Sequence, residues 1–361
     1  MMKTTIIKIA AIAFVLMMTL NLEAQTSQEK AKALGLKAVK LEDEGKFDDA
    51  LKLLEEAKKL DPNNIDYPYE MGYSYYSQGK YKKTIKLFKE VIKMNHVSDL
   101  CFQLLGNAYD KTGDTTKAFE SYDAGLKLFP KSGKLYLEKG NVYWSKELYD
   151  KSLPYYEKGI EVAPDFPSNY YRATRIYCVS SEKVWGMIYG EIFLNLEPNS
   201  DRTKEISQLL YNTYKRAITF KSDSSISVSF SQFGTMTLDD LKEAKLPFGT
   251  GAYEPIMLMS IINEKSIDLN TLDRIRQRFA DLYFKNDFSR KYPNVLFDYH
   301  QKILKANQME AYNHWVLMRG DEDAFQKWTE ENAEKWDSFA KWFPENILDL
   351  DEAHRFYRAQ Y

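Results

Sequence analysis

From Pro62 the chain advances in steps of 34 residues onto His96, Pro130, Pro164 and Pro198. Each step closes a stretch like GKFDDALKLLEEAKKLDPNN (45 to 64), helix formers set between a glycine and a proline. Self-similarity at a period of 20 to 50 residues is the signature of stacked supersecondary units, none of which can bury its apolar face alone. A proline that cannot continue a helix ends each unit. The period therefore fixes the architecture of half the chain before any single residue is considered.

With units starting at Ala31, Ile65, Asp99, Gly133 and Pro167, a size pattern recurs. Position 8 reads Ala38, Gly72, Gly106, Gly140 and Thr174, and position 20 reads Ala50, Thr84, Ala118, Ser152 and Gly186. Position 11 reads Leu41, Tyr75, Tyr109, Tyr143 and Tyr177, and position 24 reads Leu54, Phe88, Tyr122, Tyr156 and Gly190. Small residues let two antiparallel helices approach, and the rings fill the remaining space. Gly45, Gly79 and Gly113 fall at the intervening turn, where a residue needs positive φ. Pro68 and Pro154 are expected in the first turn of their helices, where backbone N–H groups have no intrahelical partner. The fifth unit departs most, its sizes at positions 8 and 24 not matching the others.

These residues resemble the tetratricopeptide repeat (TPR) signature, five times in register over residues 31–200. The resemblance implies an all-α TPR superhelix of about five helix-turn-helix repeats. A capping helix is expected over residues 201–220, a linker over 221–236 and a helical C-terminal domain over 237–361. In the family, positions 2, 5, 9 and 12 of each first helix line a groove. Carried over, they give Tyr69, Tyr73 and Tyr76 in the second repeat and Gln103, Asn107 and Asp110 in the third. The fourth gives Lys134, Leu137, Asn141 and Trp144, and the fifth Tyr171, Arg175 and Cys178, with Arg172 adjacent. Carboxamides at Asn107 and Asn141 suit a peptide backbone, since each donates and accepts. The version of this groove that clamps a C-terminal carboxylate needs two lysines and an arginine around an asparagine pair. Asn107 and Arg172 fit, but Gln103, Glu138 and Ser168 stand at the other three positions, so terminal-carboxylate recognition is not expected.

The first residues differ in kind. Met1 to Lys8 carries lysines and no acid, IAAIAFVLMMTL follows, and NLEAQ ends near the small residue Ala24. That is the layout of a secretory signal peptide over residues 1–24, cleaved before Gln25. A retained transmembrane anchor is the alternative, although about twelve apolar residues fall short of the roughly 20 that span hydrocarbon. No cysteine follows the apolar run, so the expectation is an exported, periplasmic or secreted protein, not a lipoprotein, with no integral span after cleavage. Lys plus Arg total 50 against 52 Asp plus Glu. That balance gives no electrostatic footprint for nucleic acid. Cys101 and Cys178 fall in non-adjacent repeats and are expected as unpaired, buried thiols.

Further on, SISVSF (225–230) alternates like a strand but has no evident partner, and Asn270 with Asp273 reads as a helix start. Thr237 with Asp240 suits a capping box. Helices are expected over 295–306, 308–318, 322–332 and 334–343. DEAH (351–354) has no phosphate-binding loop to work with, and the G-x-G of FGTGAYEP follows no strand. The four histidines show no ligand spacing. No cofactor, metal or catalytic set is expected, and the chain reads as a non-enzymatic scaffold or adaptor for a protein or extended peptide. The alternative is glycan or small-ligand binding by the aromatic C-terminal region, where Trp315, Trp328, Trp336 and Trp342 cluster; packing those rings into a core is the plainer use of them.

Overall fold

The protein is described by a computed structural model covering residues 26–222, 225–232 and 246–361. The expected signal peptide and the capping box at Thr237 lie outside the described residues. The chain divides into two units, residues 1–130 and 131–361.

In the first unit, helix α1 (residues 26–43) is followed by α2 (Phe47–Leu60), α3 (Asp66–Ser77), α4 (Tyr81–Val91), α5 (Asp99–Lys111) and α6 (Thr115–Leu128). The second helix of each pair starts at 47, 81 and 115, in step with the repeat. Gly45, Gly79 and Gly113 hold φ of 73°, 71° and 83° at the turn before it. Position 8 is small because the ring at position 24 lies against its backbone: a Cβ on Gly106 would sit 2.2 Å from Tyr122 Cε1. Ala31, Ala38, Ala50, Leu54, Ala57, Tyr67 and Met71 form the apolar core of the first two repeats.

The second unit continues the register with α7 (Gly133–Trp144), α8 (Tyr149–Val162), α9 (Pro167–Tyr177), α10 (Lys183–Leu196) and α11 (Asp201–Ala217). Glu147 occupies the turn position held elsewhere by glycine, with φ 59°. Pro154 lies at the sixth position of α8, one turn deeper than expected. There it removes the hydrogen bond that the Asp150 carbonyl would accept. In the fifth repeat the sizes at positions 8 and 24 are exchanged rather than lost. A Cβ on Gly190 would meet Thr174 Cγ2 at 2.9 Å and Leu210 Cδ2 at 2.8 Å, so the missing ring makes room for both.

Helix α11 starts one full step after α9, so it is the first helix of a sixth unit whose second helix is missing. It ends at Ala217 rather than 220, where Ile218 turns to extended backbone (φ −113°, ψ 120°). Strand β1 (Ile218–Ser222) then pairs antiparallel with β2 (Ser225–Val228), Ile218 opposite Val228 and Phe220 opposite Ile226. The segment read as a linker thus begins as a hairpin. The partner of SISVSF is the β-branched stretch Ile218–Thr219, which falls within the range expected for the capping helix.

After a π-helical turn (Gly249–Tyr253) come α12 (Glu254–Ser260), α13 (Leu269–Lys285), α14 (Val295–Lys305), α15 (Met309–Leu317), α16 (Glu322–Glu331) and α17 (Ala333–Trp342). Helix α13 is capped by Asp268, whose carboxylate accepts from Thr271 N at 2.8 Å, two residues before the expected Asn270. The region expected to form its own domain instead shares one core with repeats four and five. The cause lies in α10, KVWGMIYGEIFLNL, which is buried continuously from Val184 to Asn195. A helix apolar on every side must be covered on every side. Trp315 and Trp328 are buried in that core, and Trp336 and Trp342 pack against it. Residues 351–361 then run back over the second helices of repeats four and five. Arg358 pairs with Glu157 at 2.7 Å, Arg355 donates to the Glu161 carbonyl at 2.8 Å, and Phe356 is buried beside Trp185 and Tyr189. The DEAH residues belong to this tail, Asp351 accepting from His354 N at 2.6 Å.

Candidate binding surface on the first helices

The residues expected to line a groove sit on α3 and α5 in the first unit and on α7 and α9 in the second. On α3, Tyr73 is 43% exposed. Tyr69 is half-buried, edge-on to Phe88 at 6.1 Å, and burial pushes its phenol up to about 12. Tyr76 packs edge-on against Tyr81 at 5.3 Å. Gln103, Asn107 and Asp110 are half-buried along one face of α5.

The two asparagines are engaged in a way that spacing did not reveal. Asn107 Oδ1 accepts from the Tyr122 hydroxyl at 2.7 Å, and Asn141 Oδ1 accepts from Tyr156 at 3.1 Å. Each therefore ties the first helix of its repeat to the ring at position 24 of the second. Asn141 Nδ2 also donates to Glu138 at 3.1 Å. Replacing these carboxamides would leave a tyrosine hydroxyl unsatisfied, so they are packing groups as well as surface groups.

In the second unit the surface is aromatic and cationic. The guanidinium carbons of Arg172 and Arg175 lie 4.7 Å and 4.9 Å from the centroid of the half-buried Trp144 ring. Arg175 pairs with Glu205 at 3.0 Å, and the Tyr171 hydroxyl donates to the same carboxylate at 2.6 Å. Tyr171 is 8% exposed and Cys178 fully buried, so neither offers a ligand much surface. Leu137 packs against the core, while Lys134 stays half-buried. Arg202 and Glu205 were missed by sequence reasoning. They stand one step beyond Ser168 and Tyr171, so carrying the register into α11 would have found them.

Buried acids lie near each unit's first helices or behind them. In the first unit, Ser74 Oγ donates to the buried Glu42 at 2.5 Å, and Glu70 shares a hydrogen bond with Glu42. Burial, then the neighbouring Glu42, pushes the Glu70 carboxyl up to about 7. In the second unit, Glu191 on α10 meets Arg276 on α13 at 2.5 Å and His300 on α14 at 2.6 Å. Burial alone would raise the Glu191 carboxyl, but the charges of Arg276 and His300 outweigh it and hold the group well below the usual carboxylate range. The adjoining cavity, also lined by Tyr214 and Tyr253, measures about 20 Å³. That is room for one water and no substrate, so the cluster reads as an internal ion pair. His314 takes no part in it: its ring stacks on Trp328 at 4.1 Å, with Nδ1 2.8 Å from the Glu310 carbonyl. Cys101 and Cys178 are free, buried thiols. Among the described residues no group of three or more His, Cys, Asp or Glu is placed to hold a metal, and no helix is long and apolar enough to cross a membrane.

The TPR repeat family model matches residues 41–79, tetratricopeptide repeat models match 101–132 and 133–166, and a further one matches 69–94. The chain is a tetratricopeptide repeat protein over these stretches, and α9 and α10 extend the same helix pairing beyond them. No curated protein matches it. Among solved structures it is similar to MamA, at 24% identity over 45% of this chain and 94% of that one, TM-score 0.36. It is similar also to TTC0263, a TPR protein of Thermus thermophilus (18% identity, 50% and 98% of the two chains, TM-score 0.41). Pseudomonas aeruginosa pilF gives 14% identity over 53% and 86%, with TM-score 0.43.

Proposed function

We propose that the protein is an exported, non-enzymatic TPR adaptor that holds an extended segment of a partner protein on the first helices of its repeats. The observation that carries this reading is the contrast within each repeat. At position 24 the second helices bury Phe88, Tyr122 and Tyr156, whereas Tyr73, Trp144, Arg172 and Arg175 on first helices keep aromatic or cationic surface in reach of solvent. Tyr149, 41% exposed at the start of α8, adjoins this surface through Trp144 at 5.0 Å. Tyrosine and tryptophan supply rigid, amphipathic contact area at low entropy cost. Export rests on the sequence pattern of residues 1–24. The glycan alternative gains no support, because the C-terminal tryptophans are engaged in the core.

The test is capture from envelope and cytosolic extracts by the immobilised chain without residues 1–24. Tyr73→Ala with Trp144→Ala is expected to lose envelope proteins that wild type and a second-helix control, Lys158→Ala, retain. The asparagines are unsuitable probes, since their loss unties Tyr122 and Tyr156. If the double variant recovers the same proteins as wild type, the first-helix reading fails.

A further inference from the structure

Helix α12 poses the same problem as α10 and leaves half of it unsolved. In EPIMLMSII (254–262) every residue after Glu254 except Ser260 is apolar. Ile256, Met257 and Ile261 are buried, while Leu258, Met259 and Ile262 stand 44%, 38% and 56% exposed. The turn after α12 continues its path, Ile261 N donating to the Met257 carbonyl at 3.1 Å. With the half-buried Pro255, the three exposed residues therefore follow the i, i+3, i+4, i+7 spacing of one helical face. The outer face of a surface helix is ordinarily polar, and a clustered apolar one marks a contact.

The exposure is held in place. Arg278 donates to the Ser260 and Ile262 carbonyls at 2.7 Å and 2.9 Å, and Asn263 turns left-handed at φ 74°. The buried Glu264 pairs with Arg274 at 2.6 Å and with Arg278. Ile262 cannot fold back towards the core without breaking these bonds. We propose that this face of α12 is a contact with an anionic lipid surface, lying in the interface without spanning it. It is a different surface from the first helices and does not rest on the reading given for them.

Size and charge select the occupant. Three exposed side chains fall far short of the about 800 Å² per partner that a stable protein interface buries, whereas a bilayer supplies the apolar medium for whatever is pressed into it. Around the face, Lys265 is exposed and the Arg274 and Arg278 side chains are 50% and 37% exposed. The neighbouring acids are turned away. Glu264 lies beneath the two guanidiniums, Glu254 accepts from Phe230 N and Ser231 N, and Asp268 caps α13. Cations beside an inserted apolar face add attraction to anionic headgroups.

Vesicle flotation tests this, with the chain from Gln25 onward so that residues 9–20 take no part. Vesicles of equal parts phosphatidylcholine and phosphatidylglycerol are expected to carry the protein, and phosphatidylcholine alone to carry much less. Leu258→Ser with Ile262→Ser should weaken binding about tenfold with thermal melts unchanged, since both side chains already meet water. Lys265→Glu should weaken it about threefold. A polarity-sensitive dye on Ile262→Cys should shift to the blue on the mixed vesicles, and the same dye on Lys158→Cys should not. Tyr73→Ala with Trp144→Ala should float like wild type, which keeps this test separate from that of the first helices. Absence of flotation, or a double serine variant that floats like wild type, overturns the proposal. Equal flotation on phosphatidylcholine alone overturns the anionic assignment. If wild type instead self-associates in sedimentation velocity and the double serine variant does not, without flotation, a second copy covers the face and the lipid assignment falls.

Discussion

The two units are made from one 34-residue plan and differ in what lies behind their second helices. Helix α2 buries Ala50, Leu51, Leu54 and Ala57 and leaves its charged side in water; α10 is buried from Val184 to Asn195. The same position in the plan is thus amphipathic where solvent covers it and apolar throughout where the C-terminal helices do. Buried acids follow the same divide. In the second unit Glu191 stays ionised because Arg276 and His300 reach it from two other helices. In the first, Glu42 and Glu70 meet each other and a serine hydroxyl, and a proton stands in for the missing cation. A repeat that is only stacked can tolerate such a pair, while a repeat enclosed on all sides must bring in the opposite charge.

Three substitutions would break or sharpen that contrast. Arg276→Met has the largest expected effect, about 3–5 kcal/mol, because it strands a buried carboxylate. Denaturant unfolding followed by circular dichroism should show an earlier transition for the second unit, with helical signal from the first surviving beyond it. A variant as stable as wild type would mean that Glu191 needs no counter-charge. The lowered Glu191 carboxyl also sets a sign: its stabilisation is present above the ordinary carboxylate range and is lost as pH falls below about 4. Glu70→Gln should act in the opposite direction. Its raised carboxyl gives stability that is full below the ordinary carboxylate value and is lost as pH rises through about 7. After allowance for partial exposure, the amide should gain about 1 kcal/mol at pH 8 and almost nothing at pH 4. Melts showing the same difference at both pH values would remove the shared-proton account. The smallest effect belongs to Glu147→Gly, which relieves a left-handed residue where Gly45, Gly79 and Gly113 already stand. A gain of about 0.5–1 kcal/mol is expected from chemical denaturation. A loss would show that the Glu147 side chain contributes more than its backbone strain costs.

How much of this could be read beforehand depends on range. The repeat boundaries could, because each depends on residues within one 34-residue step: proline, turn glycine, small residue, ring. The place of Trp144, Arg172 and Arg175 on first helices followed from the same register. The bonds from Asn107 to Tyr122 and from Asn141 to Tyr156 did not, since a position that faces a groove in a repeat pattern says nothing of a hydroxyl arriving from the second helix. The exchange of Thr174 and Gly190 looked like decay when each was read alone, and only their contact shows it as compensation. The apolar girth of α10 was legible as a demand for cover. Its supplier, helices α13 to α15, is reached through contacts that no local pattern records.

The tail that crosses repeats four and five carries a consequence for how the molecule is assembled in time. Bonds between repeats of the first unit, Glu42 to Ser74 and Asp48 to Lys80, close loops of 32 residues. Arg358 reaches Glu157 across 201 residues, and Arg355 reaches Glu161 across 194. Closing the longer loops carries a larger entropic penalty, and chains dominated by distant partners fold more slowly than those built from neighbours. The first repeats can nucleate on local contacts and propagate, while the second unit waits for a search over two hundred residues. During that wait Trp185, Tyr189 and Phe248 lack the Phe356 and Tyr361 rings that complete their cluster. A slow phase of refolding is therefore expected in the second unit, with apolar surface open to aggregation until the tail docks.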